Sequence, residues 1–213
     1  MAALLLVAVA AAAALAAPAA SAQDRRERAG KPPNPCLDRE QRAKLLCPDL
    51  RMKPPFGLVT DPFVRPGRVV LRAGNSIDSI GRGPAELLGV RDRPRGMRAR
   101  QRIHRRGGGR LWIDTGARLL FKAIPGQGAY WKFQWAARFE LWRLDRRGER
   151  RKRVRRGPKV SYCLRDLDHS RPRLPRSPRR FVYPACNQSP SRQRVVLGTS
   201  VGWSDVYPPG YHE

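Results

Sequence analysis

The sequence predicts an all-β, sandwich-like domain with long loops and a long central hairpin. Three observations lead to this prediction: short apolar stretches at strand-like spacing, few stretches with the period of a helix, and a high content of turn residues, with 19 glycines and 20 prolines. The chain has 213 residues, so a single domain with processing segments is expected.

The central hairpin is predicted from residues 131–163, the most aromatic part of the chain. Apolar residues fall on every second position as far as Leu141, which is the period of a half-buried strand with an aromatic core face that includes Trp135. The alternation changes phase at Trp142, as one extra residue in a bulge would cause. Residues 145–148 then form a turn, and a very basic second strand returns to Cys163.

The other elements follow from shorter patterns. A charged segment of helical composition lies between Cys36 and Cys47, and the proline-punctuated residues after it are expected to be extended. A Gly/Arg-rich loop is expected at residues 91–109, and a turn at 125–128 leads into the hairpin. Short strands are expected at residues 69–71, 111–114, 119–124 and 195–197.

The amino-terminal residues predict export. Residues 1–22 are apolar and end in Ala-Ser-Ala, which is typical of a cleaved secretory signal, although the usual basic region after Met1 is missing. An uncleaved anchor is the alternative, because the run is long enough to span a bilayer. Residues 23–47 are then a flexible lead-in with a short Cys-closed segment, and residues 48–213 form the β domain. No later segment is apolar enough to cross a membrane, so a secreted or extracytoplasmic protein is expected.

The four cysteines are consistent with that location. Export places them in an oxidising compartment, and their order along the chain favours the disulfides Cys36–Cys47 and Cys163–Cys186, one of three possible pairings. The absence of a CxxC pair argues against a zinc ribbon.

The net charge of +27 favours a polyanionic partner, either nucleic acid, an acidic polymer of the cell envelope or anionic lipid. Residues 146–156 carry the densest basic run. Two alternatives stay open: a solvated hairpin tip, and a composition bias towards arginine, alanine, glycine and proline. Sequence-specific DNA binding is not expected of an exported chain without a visible recognition helix.

Three segments together resemble the catalytic domain of the lysyl oxidase family, as found in exported bacterial relatives. They are ARFELWRLD (137–145), KVSYCLRDL (159–167) and GTSVGWSDVY (198–207). The resemblance covers most of the chain after the signal. It implies a β-sandwich-rich fold, copper, a lysine tyrosylquinone cofactor built from the chain's own lysine and tyrosine, and oxidation of primary amines by oxygen.

The resemblance also implies individual site residues. Lys159, in K-V-S-Y-C, matches the family's cofactor lysine, and Tyr207, in S-D-V-Y, matches the cofactor tyrosine. A quinone carbonyl condenses with a substrate amine, and a base then removes the α-proton. Asp205 is the candidate base because of its proximity in sequence. Without the family, the three residues would be interpreted as a solvated lysine, a packed aromatic and a turn cap.

The copper ligands depart from the family pattern. The family places histidines at alternating positions before the x-R-[FY]-E-L motif, where this chain has Tyr130, Lys132 and Gln134. A cationic lysine there would repel copper. The three histidines of the chain lack the i, i+2 spacing of a strand pair. They are His104, His169 and His212.

Two further departures concern length and charge. Members of the family continue with further strands beyond the point that matches residues 211–213. Either the chain is a fragment or the sandwich is incomplete, which would leave a strand edge unpaired. A net charge of +27 repels a cationic amine at long range. Three hypotheses therefore stand: a copper- and quinone-dependent amine oxidase, a non-catalytic exported binding or structural module, and a polyanion-binding protein.

Overall fold

The computed structural model describes residues 34–210. The predicted signal at residues 1–22, residues 23–33 of the lead-in and His212 lie outside the described residues. The described residues form one short helix and eleven strands. Their bounds are α1 Arg39–Lys44, β1 Leu45–Leu46, β2 Leu50–Met52, β3 Phe56–Asp61, β4 Val70–Ser79, β5 Ala85–Arg93, β6 Gly96–Arg105, β7 Arg110–Ile124, β8 Gly128–Leu144, β9 Arg150–Tyr162, β10 Arg194–Thr199 and β11 Ser204–Tyr207.

The strands form two antiparallel sheets, which confirms the predicted all-β, sandwich-like class. The larger sheet has seven strands in the order β10-β5-β6-β7-β8-β9, with β1 paired to β6. The smaller sheet has the order β11-β4-β2, and β3 also pairs with β4. One apolar core takes residues from both sheets: Met97, Leu119 and Trp131 from the larger sheet pack in the same cluster as Ile77 and Tyr207 from the smaller one.

The predicted central hairpin is confirmed as β8 and β9, and its turn is organised by Asp145. The Oδ1 atom of Asp145 accepts hydrogen bonds from the N–H groups of Arg147 and Glu149, both at 2.9 Å. The register shifts between Leu141 and Trp142, where the change of phase predicts a bulge. Further shifts occur along the same pair of strands.

Two sequence predictions about the larger sheet are wrong. Residues 91–109 are not a loop, because β5 continues to Arg93 and β6 occupies Gly96–Arg105. Met97, Ala99 and Ile103 of β6 are buried. The charged arginines between them obscure the apolar alternation of this strand in the sequence. The two short strands expected at 111–114 and 119–124 are a single strand, β7, whose register shifts around Gly116 in the left-handed region (φ 64°).

Trp135 also departs from its prediction. It was expected on the core face of β8, but 47% of its surface is exposed. Its backbone has φ 60°, and the pairing with β9 shifts between Phe133 and Ala137. Because one extra residue moves a side chain to the other face of a sheet, this irregularity places the Trp135 indole on the face opposite to the predicted one.

Both predicted disulfides are present. Cys36–Cys47 closes the segment that contains α1, and its Cα atoms lie 5.7 Å apart. Cys163–Cys186, with Cα atoms 5.8 Å apart, joins the end of β9 to the loop before β10. Leu45 and Cys47 pack with Ile103 in a second small core. Among residues 34–210, no helix is both long and apolar enough to cross a membrane.

Candidate functional site

Tyr207 lies at the junction of the two sheets, close to the end of β9. It is paired with Asn75 across β11 and β4. Its ring packs against Tyr162 with centroids 4.8 Å apart, and its hydroxyl accepts a hydrogen bond of 3.1 Å from the N–H of Cys163. The Tyr162 hydroxyl in turn donates to Oδ1 of Asn75 at 2.9 Å. Burial, and then the charge of Asp205, raise the pKa of Tyr207 well above its usual value.

Asp205 precedes Tyr207 by two residues and shares its face of β11. Only 1% of its surface is exposed, and this burial raises the pKa of its carboxyl to about 6. The Tyr207 hydroxyl, Arg165 and the Leu164 N–H oppose that rise. Among the described residues no hydrogen bond of good geometry reaches either carboxylate oxygen, and Arg165 approaches one of them only to 3.9 Å.

Lys132, which the family resemblance places at an expected copper-ligand position, is the third member of this site. It lies on β8, only 5% of its surface is exposed, and its amine lies 6.0 Å from the centroid of the Tyr207 ring. A cation over the face of a phenol ring is attracted by the ring quadrupole. The buried Lys132 and Asp205 and the partly buried Tyr207 therefore form a cluster with one cation, one phenol and one acid, which we call the buried triad.

Lys159 has a different neighbour. It lies on β9 opposite Arg138, and its amine is 5.4 Å from the centroid of the Trp135 ring. The irregular backbone that turns Trp135 outwards also places the indole over this lysine. The ring of Trp135 is thus one contact of the Lys159 amine, and a bond between Lys159 and Tyr207 stays a prediction.

The residues at the expected copper positions do not fit the metal. The Tyr130 hydroxyl donates to the backbone carbonyl of Gln127, Lys132 belongs to the buried triad, and Gln134 is half-buried. Copper(II) in proteins favours imidazole and other neutral nitrogen donors, so a phenol, an ammonium group and an amide are a poor set. No group of three or more His, Cys, Asp or Glu side chains suited to a metal occurs within residues 34–210.

The two histidines that the structure describes have other contacts. Nε2 of His104 lies 3.5 Å from Glu86, a buried carboxylate that also accepts a hydrogen bond of 2.8 Å from the Tyr183 hydroxyl. The ring of His169 stacks on Trp203, with centroids 4.4 Å apart, and its Nε2 lies 2.8 Å from the Ser177 hydroxyl.

Another buried carboxylate, missed by sequence reasoning, lies on β4. Asp78 has 2% of its surface exposed and accepts hydrogen bonds from the hydroxyls of Ser76, at 3.0 Å, and Ser204, at 2.8 Å. Lys53 and Arg171 each approach its carboxylate to 3.5 Å. With hydroxyl donors and two cations around it, Asp78 ties β4, β11 and the loop after β9 together, which is a structural role.

The distal half of the hairpin, residues 138–156, has the opposite character from the buried triad. Its β9 part is exposed at every position from 150 to 156. Trp142 has the guanidinium groups of Arg150 and Arg153 over its ring, at 5.8 and 5.9 Å from the centroid. Glu140 forms ion pairs with Arg153 and Arg156, at 3.2 and 3.5 Å. This half presents a strongly basic surface.

Comparison of the chain with models of protein families, with curated proteins and with solved structures gave no match.

Proposed function

We propose that this chain is an exported, lysyl oxidase-like domain that acts as a non-catalytic binding module and holds acidic envelope polymers through the distal half of its central hairpin. One observation carries the proposal: a two-stranded, arginine-rich ribbon whose returning strand is exposed at every position from 150 to 156. The three matching sequence segments support the family, and the buried triad, with lysine at an expected ligand position, supports a role without copper.

The charge of the ribbon favours a polymer of repeated anions. Residues 138–156 contain ten arginines and lysines and three acidic residues. A strand advances about 3.3 Å per residue, so exposed cations along seven positions follow an extended chain for roughly 20 Å. Guanidinium groups bind sulfate, phosphate or carboxylate through paired hydrogen bonds. The ring of Trp142 holds two of these groups in place, which reduces the entropy lost on binding.

Export is supported by the apolar leader sequence and by the two disulfides, since disulfides persist mainly in oxidising compartments. A polymer of the envelope is then the polyanion that the protein meets in the greatest amount.

The test compares binding to immobilised heparin, used as a model acidic polymer, for the wild type and two matched variants. The hairpin variant replaces Arg151, Arg153, Arg155 and Arg156 with glutamine. The control variant makes the same change at four exposed arginines elsewhere, Arg65, Arg68, Arg179 and Arg180, and so loses the same charge.

We expect the hairpin variant to bind at least ~10-fold more weakly. Its affinity should also depend less on salt, because each lost contact with an anion lowers the slope of log affinity against log salt concentration by nearly one. The control should weaken less than ~3-fold. Equal losses in the two variants would show that net charge, and not the hairpin, governs binding, and would refute the proposal.

A second candidate function is the oxidation of primary amines with the family's copper and lysine tyrosylquinone. The observation that favours it is the position of Asp205: a buried acid with a pKa of about 6 beside Tyr207 is suited to accept a proton near neutral pH. The test is mass spectrometry of protein exported in copper-containing medium for a cross-link between Lys159 and Tyr207, together with peroxide release on addition of primary amines. Tyr207→Phe is the control. Protein without a cross-link and without peroxide release would refute this candidate and leave the binding function.

A further inference from the structure

Three arginines from three separate parts of the chain surround one surface cavity, on residues that the proposed function does not use. The cavity has a volume of about 320 Å³, and Arg82, Arg106 and Arg176 contribute to its lining. Arg82 belongs to the β4–β5 connection, Arg106 to the β6–β7 turn, and Arg176 to the long loop after β9. We call this cavity the arginine pocket.

The backbone at each arginine is fixed. The N–H of Arg82 donates to the carbonyl of Cys47 at 2.9 Å, and the N–H of Arg106 donates to the carbonyl of Lys44 at 3.0 Å. These two bonds attach both turns to the segment closed by the first disulfide. On the opposite side, the N–H of Ser177 donates to the carbonyl of Leu174 at 3.0 Å, which closes the turn that carries Arg176. The positions from which the three guanidinium groups project are therefore set before any ligand arrives.

Arg176 also has an unfavourable backbone conformation. Its φ of 67° lies in the left-handed region, which residues with a Cβ atom rarely adopt. Glycine or asparagine is the usual choice at such a position. Local strain of this kind is concentrated at sites that bind ligands, so an arginine at this turn suggests that its guanidinium group has a role.

Within the described part of the chain, no acidic side chain compensates the charges of the pocket. No acidic residue contributes to its lining. Within residues 34–210, none of the three guanidinium groups forms an ion pair or a side-chain hydrogen bond. Elsewhere the pattern differs: Arg72 pairs with Asp61, and Arg118 with Asp92. Three like charges around one concave surface create a positive potential that attracts a multiply charged anion.

The rest of the lining is apolar. Ile80, Gly81, Leu174 and Pro175 complete the pocket together with the arginines. Its volume falls at the lower end of the range for small-molecule sites, about 300–1,000 Å³, so it has room for an organic group beside an anion.

We propose that the arginine pocket binds a small organic phosphomonoester, with the phosphoryl dianion among Arg82, Arg106 and Arg176 and the organic group against Leu174 and Pro175. Arginine recognises phosphate through paired, charge-assisted hydrogen bonds. A monoester carries nearly two charges at neutral pH whereas a diester carries one, so three arginines favour the monoester.

The experiment measures binding of three probes by calorimetry and by the shift in thermal unfolding, at constant ionic strength. The probes are phenyl phosphate, inorganic phosphate and dimethyl phosphate. We expect saturable binding of phenyl phosphate, at least ~10-fold tighter than that of dimethyl phosphate and several-fold tighter than that of inorganic phosphate. Equal binding of phenyl phosphate and inorganic phosphate would overturn the organic part of the proposal. Equal binding of the diester would overturn the preference for a dianion.

Variants then locate the site. We expect Arg82→Gln, Arg106→Gln and Arg176→Gln each to weaken phenyl phosphate binding about 10-fold, because each removes one charged donor from the anion. Arg176→Gly removes the same charge, and glycine favours the left-handed turn. Weaker binding by this variant would therefore reflect loss of the guanidinium donor and not a change in the conformation of the loop. Arg173→Gln, at an exposed arginine of the same loop, is the matched control and should bind like the wild type.

Two results would overturn the proposal as a whole: no saturable binding of phenyl phosphate to the wild type, or undiminished binding to the variant that lacks all three arginines. The four-arginine hairpin variant should keep its phenyl phosphate affinity, so failure of the hairpin proposal and failure of this one are distinguishable.

Discussion

The two halves of the central hairpin use the same two strands in opposite ways. In the proximal half, residues 128–137 and 157–162, Trp131, Lys132 and Tyr162 are exposed by 5% or less. In the distal half, Leu141, Leu144 and Val154 are exposed by 46–55%, although they carry the same kind of apolar pattern. The smaller sheet covers the proximal half, where Tyr162 contacts both Asn75 and Tyr207.

The comparison shows that alternation along a strand predicts where side chains point, whereas coverage by a second layer decides whether they are buried. The proximal half therefore contributes to the stability of the domain, and the distal half is available for binding. Each prediction below changes one residue and tests this division of roles, beginning with the largest expected effect.

Trp131→Ala should destabilise the domain by about 3–5 kcal/mol, because it opens a cavity in the core. The indole is fully buried, packs against Phe121 with centroids 5.4 Å apart, and donates to the carbonyl of Ser189 at 2.9 Å. Trp142→Ala is the matched change in the distal half and should cost less than ~1 kcal/mol, since the indole contacts only exposed partners that the structure describes: it stacks with Arg150 and Arg153 and donates a hydrogen bond of 3.1 Å to the Glu140 carboxylate. Urea denaturation measures both variants. Equal losses would contradict the division between the halves.

Asp205→Asn should change how stability depends on pH. The carboxyl has a pKa of about 6 when folded and 3.8 in the reference state, because burial disfavours its charge. The raised pKa contributes stability that is fully present below pH 3.8 and is lost as the pH rises through 6. The loss amounts to about 3 kcal/mol. Asparagine does not titrate, so the variant should lack this loss.

The measurement for Asp205 is the free energy of unfolding of both proteins between pH 4 and pH 7.5. Partly buried carboxylates such as Asp61 and Asp145 have lowered pKa values, because backbone N–H groups donate to them, and they act in the opposite direction. They are the same in both proteins, so the difference between wild type and variant isolates Asp205. A difference that does not change with pH would show that the acid is not buried as the sheets imply.

Much of the fold could be predicted from the sequence because local rules decide it. The hairpin, its turn at Asp145, the bulge at Trp142 and both disulfides follow from alternation, turn chemistry and the order of the cysteines. Strand β6 could not be predicted in the same way. Its buried Met97 and Ala99 alternate with arginines, and a basic, glycine-flanked stretch has the composition of a loop.

The candidate site was predictable only in part. Tyr207 and Asp205 share a short strand, so their proximity follows from sequence. The burial of Lys132 does not follow from the sequence, because the alternation along β8 assigns this side chain to the solvent face, opposite Trp131. Both faces of β8 are covered at this point: the loop after Cys186 contacts Trp131, and Tyr207 of the other sheet contacts Lys132. Coverage of this kind depends on long-range packing, which the sequence pattern of one strand does not predict.

Tyr162→Phe should destabilise the domain by about 1–3 kcal/mol. The substitution keeps the ring but removes the hydroxyl that donates to Oδ1 of Asn75, and a buried acceptor without its donor is costly. Tyr130→Phe is the comparison at the edge of the proximal half, where the hydroxyl lies in a partly exposed turn; it should cost less than ~1 kcal/mol. Both are measured by urea denaturation. A larger effect at Tyr130 would place the stabilising contacts in the turn and not between the sheets.

Glu140→Gln should have the smallest effect on stability and an opposite effect on binding. Glu140 pairs with Arg153 and Arg156 on a ribbon that solvent reaches, and such pairs contribute only ~0–1 kcal/mol, less at high salt. Loss of the carboxylate releases two guanidinium groups, so heparin binding should increase by a few-fold, with a steeper dependence on salt. A fall of several kcal/mol in the free energy of unfolding would show that the distal half contributes to stability. Weaker heparin binding would contradict its role in binding. Either result would refute the division of roles between the two halves.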